Sequence, residues 1–202
     1  MDTSLDAIAA AVRPSVVQVL PGSSGGAGVV LSRGGELVVV TNAHVARGSA
    51  GNRVRILSHR RTAYTATIER ADAGRDLALL TLRSTDTGDL FPAALGDATA
   101  TRPGQLVLAI GHPFGLPNAV TAGVVHAVGL VREAWEPAPR SRRRSWIQAD
   151  IMLAPGNSGG PLLDVEGRVI GINTMVSGGL ALAVPIPDIR ALLQARSEAI
   201  PA

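Results

Sequence analysis

The sequence predicts an all-β protein of two six-stranded antiparallel β-barrels with short terminal helices. Short β-rich runs recur along the 202 residues, with Gly or Pro at nearly every junction, from a total of 23 Gly and 13 Pro. These runs fall into two sets of six on either side of a polar segment. With 46% hydrophobic residues the chain can bury a sizeable core, yet no apolar run approaches the ~18 residues of a membrane span.

The first set comprises PSVVQVL from Pro14, GAGVVLS from Gly26, ELVVVT from Glu36, NRVRIL from Asn52, AYTATIE from Ala63 and DLALLTL from Asp76. The second comprises QLVLAIG from Gln105, AVTAGVVHAV from Ala119, SWIQA from Ser145, PLLDV from Pro161, RVIGIN from Arg168 and LALAVP from Leu180. Residues 1–97 are expected to hold an N-terminal helix and the first barrel, 98–104 a linker, and 105–202 the second barrel and a C-terminal helix. The helices are expected in SLDAIAAAV, stopped by Pro14, and in PDIRALLQAR, where Ile189, Leu192 and Leu193 recur at helical spacing.

Composition excludes several function classes. There is no Cys, which removes disulfides, thiolate catalysis and Cys-based zinc sites, and no metal or other cofactor is expected. All 19 basic residues are Arg, but the net charge is only +3 and aromatics are 2% of residues. A base-stacking nucleic-acid surface needs exposed rings, so no nucleic-acid partner is expected. The one dense basic run, Arg140–Arg144, reads as a solvated loop. The N-terminus carries acids where a secretory leader needs a basic start and an apolar centre, so the default expectation is a cytoplasmic protein. An extracytoplasmic site is the alternative if the chain is a trimmed form.

The strongest chemical signal is Gly156-Asn157-Ser158-Gly159-Gly160-Pro161. A nucleophilic Ser needs an exposed hydroxyl on a tight turn beside backbone N–H groups that stabilise an oxyanion, and flanking glycines permit both. The same residues match the nucleophile elbow of α/β-hydrolases, in which the His follows the Ser; here no His follows His126, so the elbow reading fails, while the chymotrypsin-like order His, Asp, Ser stays open. Of His44, His59, His112 and His126, His44 sits just after an apolar β run, where a strand end can hold an imidazole rigidly. Asp76 opens the apolar run RDLALLTL and is the candidate to orient His44. Base and acid then lie on the first barrel and the nucleophile on the second, placing the site between them.

At this level of detail the chain resembles the HtrA/Deg branch of trypsin-like serine peptidases. TNAHV around His44, DLALL from Asp76, VLAIGHPFGL from Val107, TAGVV from Thr121, IQAD from Ile147, GNSGGPLLD from Gly156 and VIGINT from Val169 resemble that family's blocks in order. The resemblance implies the chymotrypsin-like double barrel and a cofactor-free peptidase acting on unfolded or flexible polypeptides in protein quality control. It implies an oxyanion hole from the backbone N–H groups of Gly156, Asn157 and Ser158, and an acyl-enzyme on Ser158. It also implies a specificity pocket lined by Leu153, Met175 and Leu182, with substrate added as a strand beside Thr174, Met175, Val176 and Ser177. The rival expectation is a catalytically silent peptide-binding module of the same fold.

Four features differ from the family pattern. The chain ends soon after the matched stretch, so a catalytic domain without a PDZ domain is expected. Gly111-His112-Pro113 stands where the family usually reads Gly-Asn-Pro, with loop packing as the expected role of His112. The first aromatic is Tyr64, so a monomer or weak oligomer is expected rather than an aromatic-held trimer, which stays as the alternative. Asn157, normal for the branch, stands where digestive relatives carry Asp, which leaves an N-terminal amine no carboxylate partner. Met152 occupies the position where Arg/Lys-specific relatives carry an acid, so cleavage is expected after small or medium aliphatic residues. The segment 131–145, rich in Pro and Arg, is expected to gate activity.

Overall fold

The computed structural model describes residues 4–22, 25–47, 49, 51–83, 87–97, 100–130 and 145–195. Two closed six-stranded antiparallel barrels make up the protein. The first contains β1 (Val16–Leu20), β2 (Gly26–Arg33), β3 (Glu36–Thr41), β4 (Arg53–Leu57), β5 (Ala63–Asp72) and β6 (Leu77–Leu82), in the order β1-β2-β3-β6-β5-β4. The second contains β7 (Leu106–Gly111), β8 (Ala119–Leu130), β9 (Ser145–Asp150), β10 (Pro161–Leu163), β11 (Val169–Ser177) and β12 (Leu180–Pro185), in the order β10-β11-β12-β9-β8-β7. Helices α1 (Leu5–Val12) and α3 (Ile186–Gln194) lie at the ends, and a one-turn helix α2 (Ala43–Ala46) follows β3. Among the described residues no helix is long and apolar enough to cross a membrane.

Strand side chains alternate between faces, so position parity decides which core a residue joins. In the first barrel Val17, Val19, Val30, Val39, Val54, Ile56, Ala66, Ala78 and Leu80 fill the interior. Their neighbours Val16, Val29, Leu31, Val38, Val40, Leu77 and Leu79 belong instead to the cluster continuous with the second barrel. That is why LVVV of β3 and LALL of β6 read as unbroken apolar runs: both their faces are buried. In β4 the exposed Arg53 and Arg55 alternate with buried Val54 and Ile56, as expected of a strand with one wet face.

The doubly buried strands therefore form the seam between the barrels, and the functional candidates sit where they end. His44 follows β3, Asp76 precedes β6, and Gly26 opens β2. The terminal helices tie the halves together crosswise. Ala9 and Val12 of α1 sit in the cluster with the second barrel. Arg75, next to Asp76, bridges to Asp188 in the first turn of α3 at 2.9 Å. All twelve strands and both terminal helices expected from the sequence are present. Of the segment expected to gate activity, 131–144 lies outside the described residues.

Candidate active site

His44 stands on the single turn of α2 rather than on a strand end. Asn42 occupies the position before that turn, but its side chain does not cap it; its amide donates to the Asp76 carbonyl at 2.8 Å. Asp76 itself has φ 51 and lies in the turn before β6, which begins one residue later than the sequence suggested. Asp and Asn are among the few non-glycine residues that accept this left-handed geometry. The turn aims the carboxylate back at α2. Oδ1 accepts the His44 backbone N–H at 3.0 Å, and Oδ2 lies 2.8 Å from His44 Nδ1.

The Thr174 hydroxyl also donates to Asp76 Oδ2. Burial pushes the Asp76 carboxyl up, but the hydrogen bonds from the His44 ring, Thr174 and the His44 N–H outweigh it and hold the acid below its ordinary value. An ionised carboxylate only accepts, so Nδ1 of His44 carries a proton, and in the neutral ring the Nε2 lone pair is free toward the cleft. The His44 ring is 45% exposed while the Asp76 carboxylate is 17% exposed, so the base meets solvent and the acid is sheltered behind it.

Ser158 lies in the tight loop between β9 and β10. Its carbonyl accepts the N–H of Ala27, on the first barrel, at 2.8 Å, and the next N–H, of Gly159, donates to Asn173 of β11 at 2.8 Å. The nucleophile candidate is thereby pinned from both barrels. Gly159 has φ 86, and a Cβ there would fall 2.0 Å from the Ala27 carbonyl oxygen, so no side chain fits without parting the barrels. The Ser158 hydroxyl donates to the Thr174 carbonyl at 2.8 Å. A hydroxyl has one proton, so in this resting geometry it is not donated to His44, and attack requires rotation about χ1.

The loop also sets the direction of two peptide groups. A trans peptide points its C=O and N–H in opposite directions. The Pro155 carbonyl accepts from Phe114 N–H at 2.9 Å, which turns the Gly156 N–H the other way. The Asn157 carbonyl accepts from Gly160 N–H at 3.1 Å, which does the same for the Ser158 N–H. Neither N–H has an acceptor among the described residues, and both residues line one cleft with His44. Asn157 differs from the expectation. Its N–H closes the turn onto the Ala154 carbonyl at 2.9 Å and is not free for an oxyanion.

The cleft encloses about 440 Å³ and is lined by His44, Ser158, Leu153, Thr174, Met175 and Val176 among others. Leu182 is not among the lining residues. It is fully buried in the second-barrel core, where β12 is covered on both faces, and so drops out as a pocket residue. Met152 is 79% exposed and also stands outside the lining. Thr174 does more than sequence reasoning assigned to it: its hydroxyl holds the acid and its carbonyl holds the Ser158 hydroxyl. No local signal in VIGINT marks that role, because it arises only when β11 meets the turn before β6. Among the described residues no cluster of His, Asp and Glu could hold a metal ion.

Known proteins match this chain in sequence and in structure. The trypsin-like peptidase domain family matches residues 26–172. Serine protease HTRA2, mitochondrial, of Drosophila grimshawi is 37% identical over 174 residues, covering 85% of this chain and 39% of the relative. The protein of the same name from Drosophila pseudoobscura pseudoobscura is 39% identical over 178 residues, covering 87% and 40% respectively. The solved HtrA-type protease AlgW with a tripeptide superposes with a TM-score of 0.81 at 29% identity, covering 96% of this chain and 64% of that one. The chain thus spans about two-fifths of the length of the curated relatives it matches. With the double barrel and the His44–Asp76 pair facing the Ser158 loop, these matches show that the chain belongs to the HtrA-type trypsin-like serine proteases.

Proposed function

We propose that this chain is a serine endopeptidase domain with His44, Asp76 and Ser158 as its catalytic triad. The observation that carries the reading is the Asp76-held His44 ring, at 2.8 Å, in the same cleft as Ser158. His44 Nε2 takes the Ser158 hydroxyl proton as Oγ adds to the scissile carbonyl carbon, and Asp76 stabilises the resulting imidazolium. The carbonyl oxygen, now an oxyanion, receives the N–H groups of Gly156 and Ser158. His44 then returns its proton to the leaving amine, and an acyl-enzyme remains on Ser158. Water, deprotonated by His44, adds to the acyl carbon, and collapse releases the acid and restores the serine.

The substrate is an unfolded or flexible polypeptide added as a strand to β11. Pairing of β10 with β11 stops at Pro161 with Ile172, so the edge from Thr174 to Ser177 has no β10 partner. An extended peptide can take those main-chain groups. The nearby lining, Val45, Leu153, Met175 and Val176, is apolar and offers no carboxylate to pair with a basic side chain. Cleavage is therefore expected after Val, Ala or Leu. Mass-spectrometric mapping of cuts in a denatured protein should place most of them after such residues, and a majority after Arg or Lys would overturn the pocket assignment.

The Ser158 hydroxyl on the Thr174 carbonyl favours a second reading, a silent peptide-binding module, in one respect only: the nucleophile is not engaged by its base at rest. Apo enzymes commonly show such loose contacts and tighten them around substrate. Turnover of any peptide by the wild type, lost in Ser158→Ala, excludes the silent module.

A further inference from the structure

The loop after β7, residues 112–118, holds the two carbonyls that orient the Gly156 peptide. His112 N–H donates to the Gly156 carbonyl at 3.1 Å, beside the Phe114 bond to Pro155. The approach is close: a Cβ on Gly156, at φ 106, would lie 2.2 Å from the His112 carbonyl oxygen. The loop is strained at Phe114, whose φ of 53 is left-handed, whereas Asn118 accepts its φ of 58. Such conformations persist only where the surroundings enforce them. Backbone bonds from Phe114, Gly115 and Leu116 N–H hold part of the loop, and among the described residues the one side chain that closes it is the buried His112 ring, 3% exposed, whose Nδ1 accepts the Asn118 N–H at 3.3 Å.

We infer that His112 is a positioning residue of the oxyanion hole: its neutral ring locks the 112–118 loop, and the loop's backbone holds the Gly156 N–H toward the cleft. The inference rests on reading the Gly156 and Ser158 N–H groups as that hole. Because Nδ1 accepts, the ring proton sits on Nε2, which is buried without a partner of hydrogen-bond geometry. A second proton would set Nδ1–H against Asn118 N–H, donor against donor, and open the lock. Burial, partly offset by the Val17 backbone and reinforced by Arg61, holds the imidazole down to about 4. Around the ring, β1 brings the Val17 backbone, the turn 154–157 has no ionisable side chain, and Asn118 does not titrate. Arg61, after β4, is the one charged group acting on it among the described residues. The ring therefore stays neutral, and the lock closed, through the physiological range.

The test compares wild type, His112→Ala and His112→Asn by peptide kinetics at neutral pH and by NMR of the Gly156 amide against pH. Asn keeps an acceptor for the Asn118 N–H but cannot titrate. His112→Ala should lose about 10- to 100-fold in kcat with KM within about 3-fold, part of the cost of removing an oxyanion donor outright. His112→Asn should stay within about 3-fold of wild type, since it retains the acceptor. In the wild type the Gly156 amide should shift with the same midpoint as the His112 ring, near 4, and in His112→Asn that transition should vanish. Unchanged kcat in a folded His112→Ala, or a Gly156 amide indifferent to the His112 titration, would overturn the inference. A wild type that cleaves nothing would sink the peptidase reading instead, and the NMR comparison would then decide the positioning role by itself.

Discussion

Ser158→Ala is expected to lower kcat by roughly 10⁶-fold while leaving the fold and peptide affinity intact. Among the described residues lining the cleft, the hydroxyl is the group placed to attack a carbonyl, so its loss removes covalent catalysis and leaves only what the oxyanion donors supply to water. The backbone at this position is fixed by its neighbours rather than by the hydroxyl. The Ser158 carbonyl is held by Ala27 N–H, and Gly159 N–H by Asn173. Removing Oγ frees only the Thr174 carbonyl of its hydroxyl partner, in a residue at the edge of the cleft. Steady-state kinetics on a flexible peptide, with binding of an uncleavable analogue measured in parallel, separates the two effects. A fall below about tenfold would show that another group performs the attack.

Asp76→Asn is expected to cost about 10⁴-fold in kcat with little change in KM. The substitution isolates charge from conformation, because Asn accepts the φ of 51 as readily as Asp. What changes is the bond to His44. Nδ1 now faces an amide that can donate, so the ring is free to place its proton on Nε2, the wrong nitrogen for a base. The imidazolium formed during attack also loses its counter-charge. The hydrogen bonds from the His44 ring, Thr174 and the His44 N–H hold the wild-type carboxyl below its ordinary value, so it stays ionised wherever an ordinary carboxyl would. The Asp76→Asn deficit should therefore persist across the neutral and mildly acidic range. An Asp76→Asn enzyme within tenfold of wild type at neutral pH would remove Asp76 from the triad.

Much of this arrangement is legible in the chain because the relevant signals are local or ordered. Unbroken apolar runs such as LVVV and LALL mark strands buried on both faces, and alternation in RVRIL marks one facing water. The order His44, Asp76, Ser158 separates the double barrel from the nucleophile-elbow fold without any structure. The remaining details depend on contacts between distant segments. The turn of α2 cannot be read from TNAHVA, since Asn42 spends its side chain on Asp76 instead of capping the helix. Leu182 resembles a pocket residue by position, yet strand pairing on both sides carries it into the core. Asn157 sits among the oxyanion donors in sequence, but the 154–157 turn consumes its N–H. Thr174 and His112 act through partners about 100 and 44 residues away in the chain, at Asp76 and Gly156, where no motif could announce them.

The central claim is that nucleophile, base and oxyanion donors are assembled in one cleft. Intact-mass measurement after incubation with a serine-reactive organophosphonate tests it directly, since the reagent needs an activated serine and N–H donors for its phosphoryl oxygen. The account predicts one adduct on the wild type and none on Ser158→Ala. A folded wild type that stays unmodified, or a Ser158→Ala protein that still takes the label, would contradict it.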